Sequence, residues 1–247
     1  MTATPRVLVT GAATGIGRAV TERLLHDGAE VVGAGLDADE AAGFRPPAGS
    51  VHRFVEVDVT DEDAVAGLFG ALDRLTGLVV CAGVYPPDQR LEDVSLAQFR
   101  RVLDVNLVGA FLCCRAAVPL LRRSGGGSIV TISSVHAVAA APGQGAYAAS
   151  KGGITALTRQ LAVDYAGDGI RANSVLAGSV DTRITRAAVA AAGSQAQLGL
   201  STDRRDLGRI ADPDEVAAVV AFLLGPDSTF VTAAALLADG GLTSRIL

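Results

Sequence analysis

The chain has 247 residues, 49% of them apolar and 19% charged, and a formal net charge of −5. That length can bury a substantial core in one α/β domain or two small ones, and the scattered basic residues offer no footprint for nucleic acid or an anionic membrane. Cys81, Cys113 and Cys114 sit in apolar runs too closely placed for a disulfide framework, and no long apolar signal core or membrane span is visible, so a cytoplasmic chain is expected.

In chain order, short β-branched runs at 7–10, 30–34, 51–57, 77–81, 128–132, 171–176 and 234–238 predict strands. They are apolar throughout, as strands covered on both faces are. Between them, helical spacing predicts helices over 16–26, 61–72, 95–122, 146–165 and 213–224, with Thr60 and Asp212 as N-caps. This alternation predicts a single domain over 1–247 with an α/β fold: a doubly wound, Rossmann-type parallel sheet of about seven strands with helices on both faces. The segment 183–209 breaks the rhythm. It is expected to be a lid over the site, a plain surface excursion being the alternative.

The first strand runs into Thr10-Gly11-Ala12-Ala13-Thr14-Gly15-Ile16-Gly17, after which a helix begins. Glycines let the backbone approach a pyrophosphate closely, and the helix N-terminus offers unpaired N–H donors. At the end of the second strand, where a ribose 2′ position would be read, an acid favours NAD; Asp37 is available there and no Arg stands at Leu36. A helix-capping or solvated acid is the other reading of Asp37. Asn106 is a polar residue in an apolar helical stretch and needs its amide satisfied.

Tyr147-Ala148-Ala149-Ser150-Lys151 sets a phenol and an ammonium on one helix face. A phenol with its ordinary pKa is a poor base at neutral pH, so Lys151 is expected to lower that of Tyr147. His26, His52 and His136 have no ligand-like spacing, and no metal is expected. The arginines Arg183, Arg186, Arg204 and Arg205 fit either an anionic substrate or a solvated surface, the latter being favoured.

Taken together, T-G-x-x-x-G-x-G and Y-x-x-x-K resemble the short-chain dehydrogenases/reductases, and the likeness extends along nearly the whole chain. Among them it is similar to the 3-oxoacyl-ACP reductase-like and glucose dehydrogenase-like members. The resemblance implies that Gly11, Thr14, Gly15, Ile16 and Gly17 hold the dinucleotide phosphates and that Asp58 and Val59 meet adenine. Cys81-Ala82-Gly83 stands at the family's N-A-G, with Cys for Asn. Gly178, Val180 and Thr182, in a segment where Ala177 replaces the usual proline, would hold the nicotinamide carboxamide.

By the same resemblance Ser134 is the catalytic serine and Asn106 supports a water-linked proton relay from Lys151; Ser133 is the rival serine, a structural role at the strand end being the favoured reading for it. Gly35 stands at the family's usual acidic position, with Asp37 two residues later on the same side if the strand continues. NAD is the expected cofactor and NADP the alternative. His136, two residues after Ser134, resembles the S-x-H of hydroxybutyrate and some sugar dehydrogenases; a structural histidine is the other reading. The tail Asp239-Gly240-Gly241 also matches a family whose last strand and helix commonly form a tetramer, so a homotetramer is expected. The implied activity is hydride transfer between a nicotinamide cofactor and a small ketone or secondary alcohol, with Tyr147 as acid/base and with a dinucleotide-binding sensor or scaffold as the alternative.

Overall fold

Strands buried on both faces alternate their side chains between two cores, and the first strand does so plainly. In the computed structural model, which describes residues 4–194, 201, 203 and 205–244, Val7 and Val9 of β1 (Arg6–Thr10) point into one apolar cluster and Leu8 into the other. The seven parallel strands lie in the order β3-β2-β1-β4-β5-β6-β7. They comprise β2 (Glu30–Gly35), β3 (His52–Glu56), β4 (Gly77–Val80), β5 (Gly127–Ser134), β6 (Ile170–Ala177) and β7 (Ala235–Ala238).

Helices α1 (Gly15–His26) and α8 (Pro213–Leu224) cover one face, contributing Val20, Leu24, Val216 and Val220 to its core. The other face is covered by α3 (Glu62–Gly70), α5 (Gly109–Arg123) and α6 (Gly145–Asp164), which bring in Leu68, Leu121 and Ile154. The doubly wound sheet read from the sequence is therefore the fold. β1 is flanked by β2 and β4, so the strand order reverses beside it, and a crevice opens at the carboxyl ends of β1 and β4.

Local differences have physical causes. The helix expected over 95–122 is α4 (Leu96–Leu103), a π turn (Asp104–Val108) and then α5. Together they form a helical stretch, Leu96–Arg123, long and apolar enough to cross a membrane; half of its most apolar window is buried within the fold. Asp61, not Thr60, caps α3, accepting from the Ala64 N–H at 3.0 Å, because Thr60 is engaged by Asp58. Asp212 does cap α8, its N–H donating to Glu215.

A short α2 (Ala38–Ala42) was missed, since five residues carry too little periodicity to see. The expected lid begins as α7 (Arg183–Ala192), capped by Thr182. Positions 195–200, 202 and 204, including Arg204, lie outside the described residues.

The crevice is tied at its base by Thr10, fully buried, whose hydroxyl accepts from the N–H groups of Cys81 at 3.1 Å and Ala82 at 3.2 Å. Thr10→Val keeps the shape but leaves both donors unpaired. We expect it to destabilise the fold by about 2–4 kcal/mol, read as a lowered urea midpoint at unchanged m-value.

Candidate active site

The glycine turn is built for something to lie against it. Gly11 (φ 65°) and Gly15 (φ 54°) occupy left-handed backbone. A Cβ on Gly17 would fall 2.1 Å from the Gly11 carbonyl oxygen, and one on Gly11 would fall 2.9 Å from the Ala82 nitrogen. Thr14 enters α1 with extended backbone and no side-chain cap, so its hydroxyl supplies no acceptor to the first N–H groups of the helix, which begins at the edge of the crevice. From this turn a cleft of about 410 Å³ runs to Asp37 and Asp58 on one side and to Tyr147 and Lys151 on the other.

At its reactive end, Tyr147 and Lys151 sit one turn apart on α6. Lys151 is 5% exposed, its Nζ donates to the Ile132 carbonyl at 2.9 Å, and it lies 5.5 Å from the Tyr147 ring centroid. Burial pulls this ammonium down to about 8, against an opposing pull from the Cys81 thiol. The expected lowering of Tyr147 is not what the chain's own groups produce: burial pushes the phenol up to about 12, partly offset by its hydrogen bond with Ser134. Among the groups acting on it only Ser134 lowers the phenol, so desolvation wins there.

Ser134 ends β5 opposite Ala177 of β6, and its Oγ also accepts from the His136 N–H at 3.2 Å. Ser133 points away, donating to the Lys151 carbonyl at 2.9 Å and accepting from Thr155 at 3.0 Å. Asn106 is fully buried in the π turn. Its Oδ1 accepts from the Val84 N–H at 2.8 Å, while Nδ2 donates to the Val84 carbonyl and to Ser150 Oγ, each at 3.0 Å. The amide is thus satisfied structurally, and it makes no hydrogen bond to Lys151.

The catalytic and cofactor-contact residues expected from the sequence line this cleft, except Gly17, which lies beneath the turn, and Asn106, which lies behind Gly83; His136, Arg186 and Arg205 do not line it. A Cβ on Gly83 would come within 3.2 Å of Asn106 Oδ1 and 3.6 Å of Lys151 Nζ. Asp58 is held by Thr60, whose N–H and hydroxyl both donate to Oδ1 and keep the carboxyl below its usual range. Cys81 does more than lend its backbone: its thiol meets the Gly17 N–H and the Lys151 charge, though burial raises it to about 11.

Asp37 needs correction, because β2 stops at Gly35 and Asp37 stands at the N-terminus of α2, without a side-chain capping bond, instead of extending the strand. It nonetheless lines the cleft and pairs with Arg183 of α7 at 2.9 Å. Arg186 pairs with Asp181 and Arg205 with Asp203, so these guanidiniums have local partners. Sequence reasoning missed Tyr85, whose ring packs edge-on against Tyr147 with centroids 4.8 Å apart. The Val84-Tyr85 pair directly after Cys81-Ala82-Gly83 was the available signal.

A family model described as Enoyl-(Acyl carrier protein) reductase matches residues 11–243. The chain is 38% identical over 247 residues to the cis-4-hydroxycyclohexanecarboxylate dehydrogenase of Sinomonas cyclohexanicum, covering 96% of each. Its fold is similar to that of a short-chain type dehydrogenase/reductase from Mycobacterium ulcerans, with a TM-score of 0.90 and 30% identity over 98% of this chain and 90% of that one. It is also similar to a putative NAD(P) dependent gluconate 5-dehydrogenase from Beutenbergia cavernae with bound NADP at low occupancy, with a TM-score of 0.88 and 33% identity over 98% of both chains.

Asn106→Leu removes an amide with three partners and orphans both polar groups of Val84. We expect a loss of about 2–4 kcal/mol in chemical denaturation, with Asn106→Asp falling between the two chains.

Proposed function

This chain belongs to the short-chain dehydrogenase/reductase family, and from that membership we propose that it interconverts a secondary alcohol and a ketone at the Tyr147 end of the cleft. The observation that carries the reading is the convergence there of a phenol, a serine hydroxyl and a buried ammonium, at the end of a cleft bordered by a glycine turn too closely packed to admit a Cβ at Gly11 or Gly17. The cradle fits a nicotinamide dinucleotide. Gly11, Thr14, Gly15 and Ile16 would take its phosphates, Asp58 and Val59 its adenine, Ala82 and Gly83 its middle, and Gly178, Val180 and Thr182 its carboxamide. When bound, that group supplies or accepts the hydride.

The chain's own residues manage the oxygen. Tyr147 donates its phenolic proton to the oxygen in reduction and takes it back in oxidation, and the Ser134 hydroxyl holds the same oxygen in place. Lys151 places a positive charge beside the phenol and favours its ionised form when the proton leaves. Asn106 acts at a distance, fixing the Val84 backbone and Ser150 and so holding the start of α6 against the loop after β4.

Asp37 favours NAD, since a carboxylate at the cleft rim accepts from the two ribose hydroxyls and repels a 2′-phosphate. Arg183 beside it is the feature that would admit NADP. The segment from α7 onward serves as the lid, with Arg183, Ile184 and Thr185 bordering the cleft. A ring-borne secondary alcohol is the substrate type suggested by the name of the Sinomonas relative. A homotetramer is supported by the exposed Phe230, Leu236 and Leu237 at the β7 edge, an apolar surface that a second copy would cover.

Initial rates with NAD or NADP and a panel of cyclic alcohols and ketones test the reading. Tyr147→Phe is expected to lower kcat about a thousandfold while dinucleotide affinity stays within about threefold; full activity in that variant would end the mechanism. Because Lys151 is charged only below about 8 and the phenol is protonated up to about 12, kcat/KM for ketone reduction should be flat at lower pH and fall above about 8. For the cofactor, the wild-type chain is expected to prefer NAD, and Asp37→Ala to shrink the NAD over NADP ratio of kcat/KM at least about tenfold.

A further inference from the structure

Among the described residues, three cations border the cleft: Arg101, Lys151 and Arg183. Lys151 is buried at the reactive end with its Nζ on the Ile132 carbonyl, and the charge of Arg101 acts on Asp58. Of the three, it is Arg183 that reaches the glycine turn. Its Nη2 donates to Asp37 Oδ2 at 2.9 Å and lies 3.5 Å from the Thr14 hydroxyl, leaving Nε and Nη1 for another acceptor. Arg186, the other guanidinium in the first turn of α7, is by contrast held twice by Asp181, at 2.7 and 3.0 Å.

The start of α7 is seated on the same turn. Thr182, whose hydroxyl accepts from the Thr185 N–H, lies so close that a Cβ on Gly15 would fall 3.1 Å from its Cγ2. Helices α1 and α7 therefore begin side by side, and neither carries an acid in its first turn. Helix N-termini are partly positive, so this point of the cleft combines two such ends with a guanidinium, and the carboxylate paired there is that of Asp37. The arrangement accommodates more negative charge than one carboxylate supplies.

In the reading given above, a dinucleotide brings a diphosphate to this turn and ribose hydroxyls to Asp37. Two hydroxyl donors at that carboxylate compete with Arg183 for the same oxygens. The pair is exposed and gives way at little cost, whereas a guanidinium on a phosphate makes charge-assisted bonds through a matched fork. We propose that Arg183 changes partner when the dinucleotide binds, leaving Asp37 to the ribose and donating to the diphosphate, and that this exchange fastens the first turn of α7 over the cofactor. The exchange presupposes the dinucleotide reading and adds to it a side-chain anion ligand that comes from α7 rather than from the glycine turn. A 2′-phosphate beside Asp37 would draw on the same guanidinium, so NADP gains that contact only as the diphosphate loses it.

Binding of two cofactor fragments to the full chain, read by NMR titration, isolates the contact. Adenosine carries the ribose hydroxyls without a phosphate; ADP-ribose adds the diphosphate without a 2′-phosphate or a hydride carrier. In Arg183→Gln the Kd of ADP-ribose is expected to rise about tenfold, and that of adenosine to stay within about twofold. The Arg183 side chain is 59% exposed, so the variant should keep its fold and its urea midpoint. Unchanged ADP-ribose affinity in the variant, or tighter binding as from removal of an obstacle, overturns the exchange. Hydrogen exchange of the α7 amides over 184–190 gives the second readout. ADP-ribose is expected to slow them severalfold in the wild-type chain, adenosine to leave them unchanged, and the slowing to vanish in Arg183→Gln. Equal slowing by both fragments, or slowing that survives the substitution, rules out the fastening of α7. If ADP-ribose fails to bind the wild-type chain, the dinucleotide reading falls together with the exchange; binding that ignores Arg183 removes the exchange alone.

Discussion

The site depends on a gap between two neighbouring strands that must be held open above and closed below. Because β1 pairs with β2 on one side and β4 on the other, the connections leave in opposite directions and the backbone ends of β1 and β4 face each other across a crevice. Thr10 closes the base by accepting from two successive N–H groups of the opposite strand end. Above it the chain has to turn within a few residues without filling the space it has made. Glycine at 11 and 17 allows the turn to pack against Ala82 and against itself at distances that no Cβ permits.

A second constraint follows at the far end of the crevice, where an ammonium is buried. Such a group is expensive to desolvate and would be lost without compensation. Lys151 is compensated by one carbonyl, that of Ile132, presented because β5 continues to Ser134. The same strand extension orients Ser133 and Ser134 to opposite sides, one securing the backbone of α6 through Thr155 and the Lys151 carbonyl, the other meeting Tyr147. Strand length, helix anchoring and placement of the phenol are thus one arrangement. The π turn supports it from behind, since the extra residue in that turn brings the Asn106 amide inward onto Val84 and Ser150.

The Asp37–Arg183 pair is of a different kind. Both side chains are about half exposed, so the pair contributes at most about 1 kcal/mol. Its consequence lies in what it connects: the end of β2 with the first turn of α7, across the rim of the cleft. Arg183 also approaches the Thr14 hydroxyl at 3.5 Å, so the start of α7, the glycine turn and the acid that precedes α2 meet at one point. A contact this weak leaves α7 free to shift at little cost in stability, whereas the Lys151 end of the cleft is fixed by buried bonds.

This division between fixed and adjustable parts also explains what could be read from the sequence. All seven strands and five helical stretches were legible, because apolar runs and helical spacing report burial directly and burial of the central strands on both faces leaves few alternatives, although the edge strands β3 and β7 are partly exposed. Gly11, Tyr147 and Lys151 were legible because their geometry is local: a turn, or one helical face. What escaped depended on distant partners. Thr60 has the chemistry of a cap, but whether it caps is decided by Asp58. Tyr147 beside Lys151 implies a lowered phenol in isolation, yet burial, with Tyr85 and Cys81 on other elements, raises it. Asp88 and Gln144 stand 56 positions apart and meet only because the loop after β4 folds over the start of α6. Spacing along a chain can identify the residues that turn or stack within one element; the proton positions of the site are set between elements, where sequence spacing carries no information.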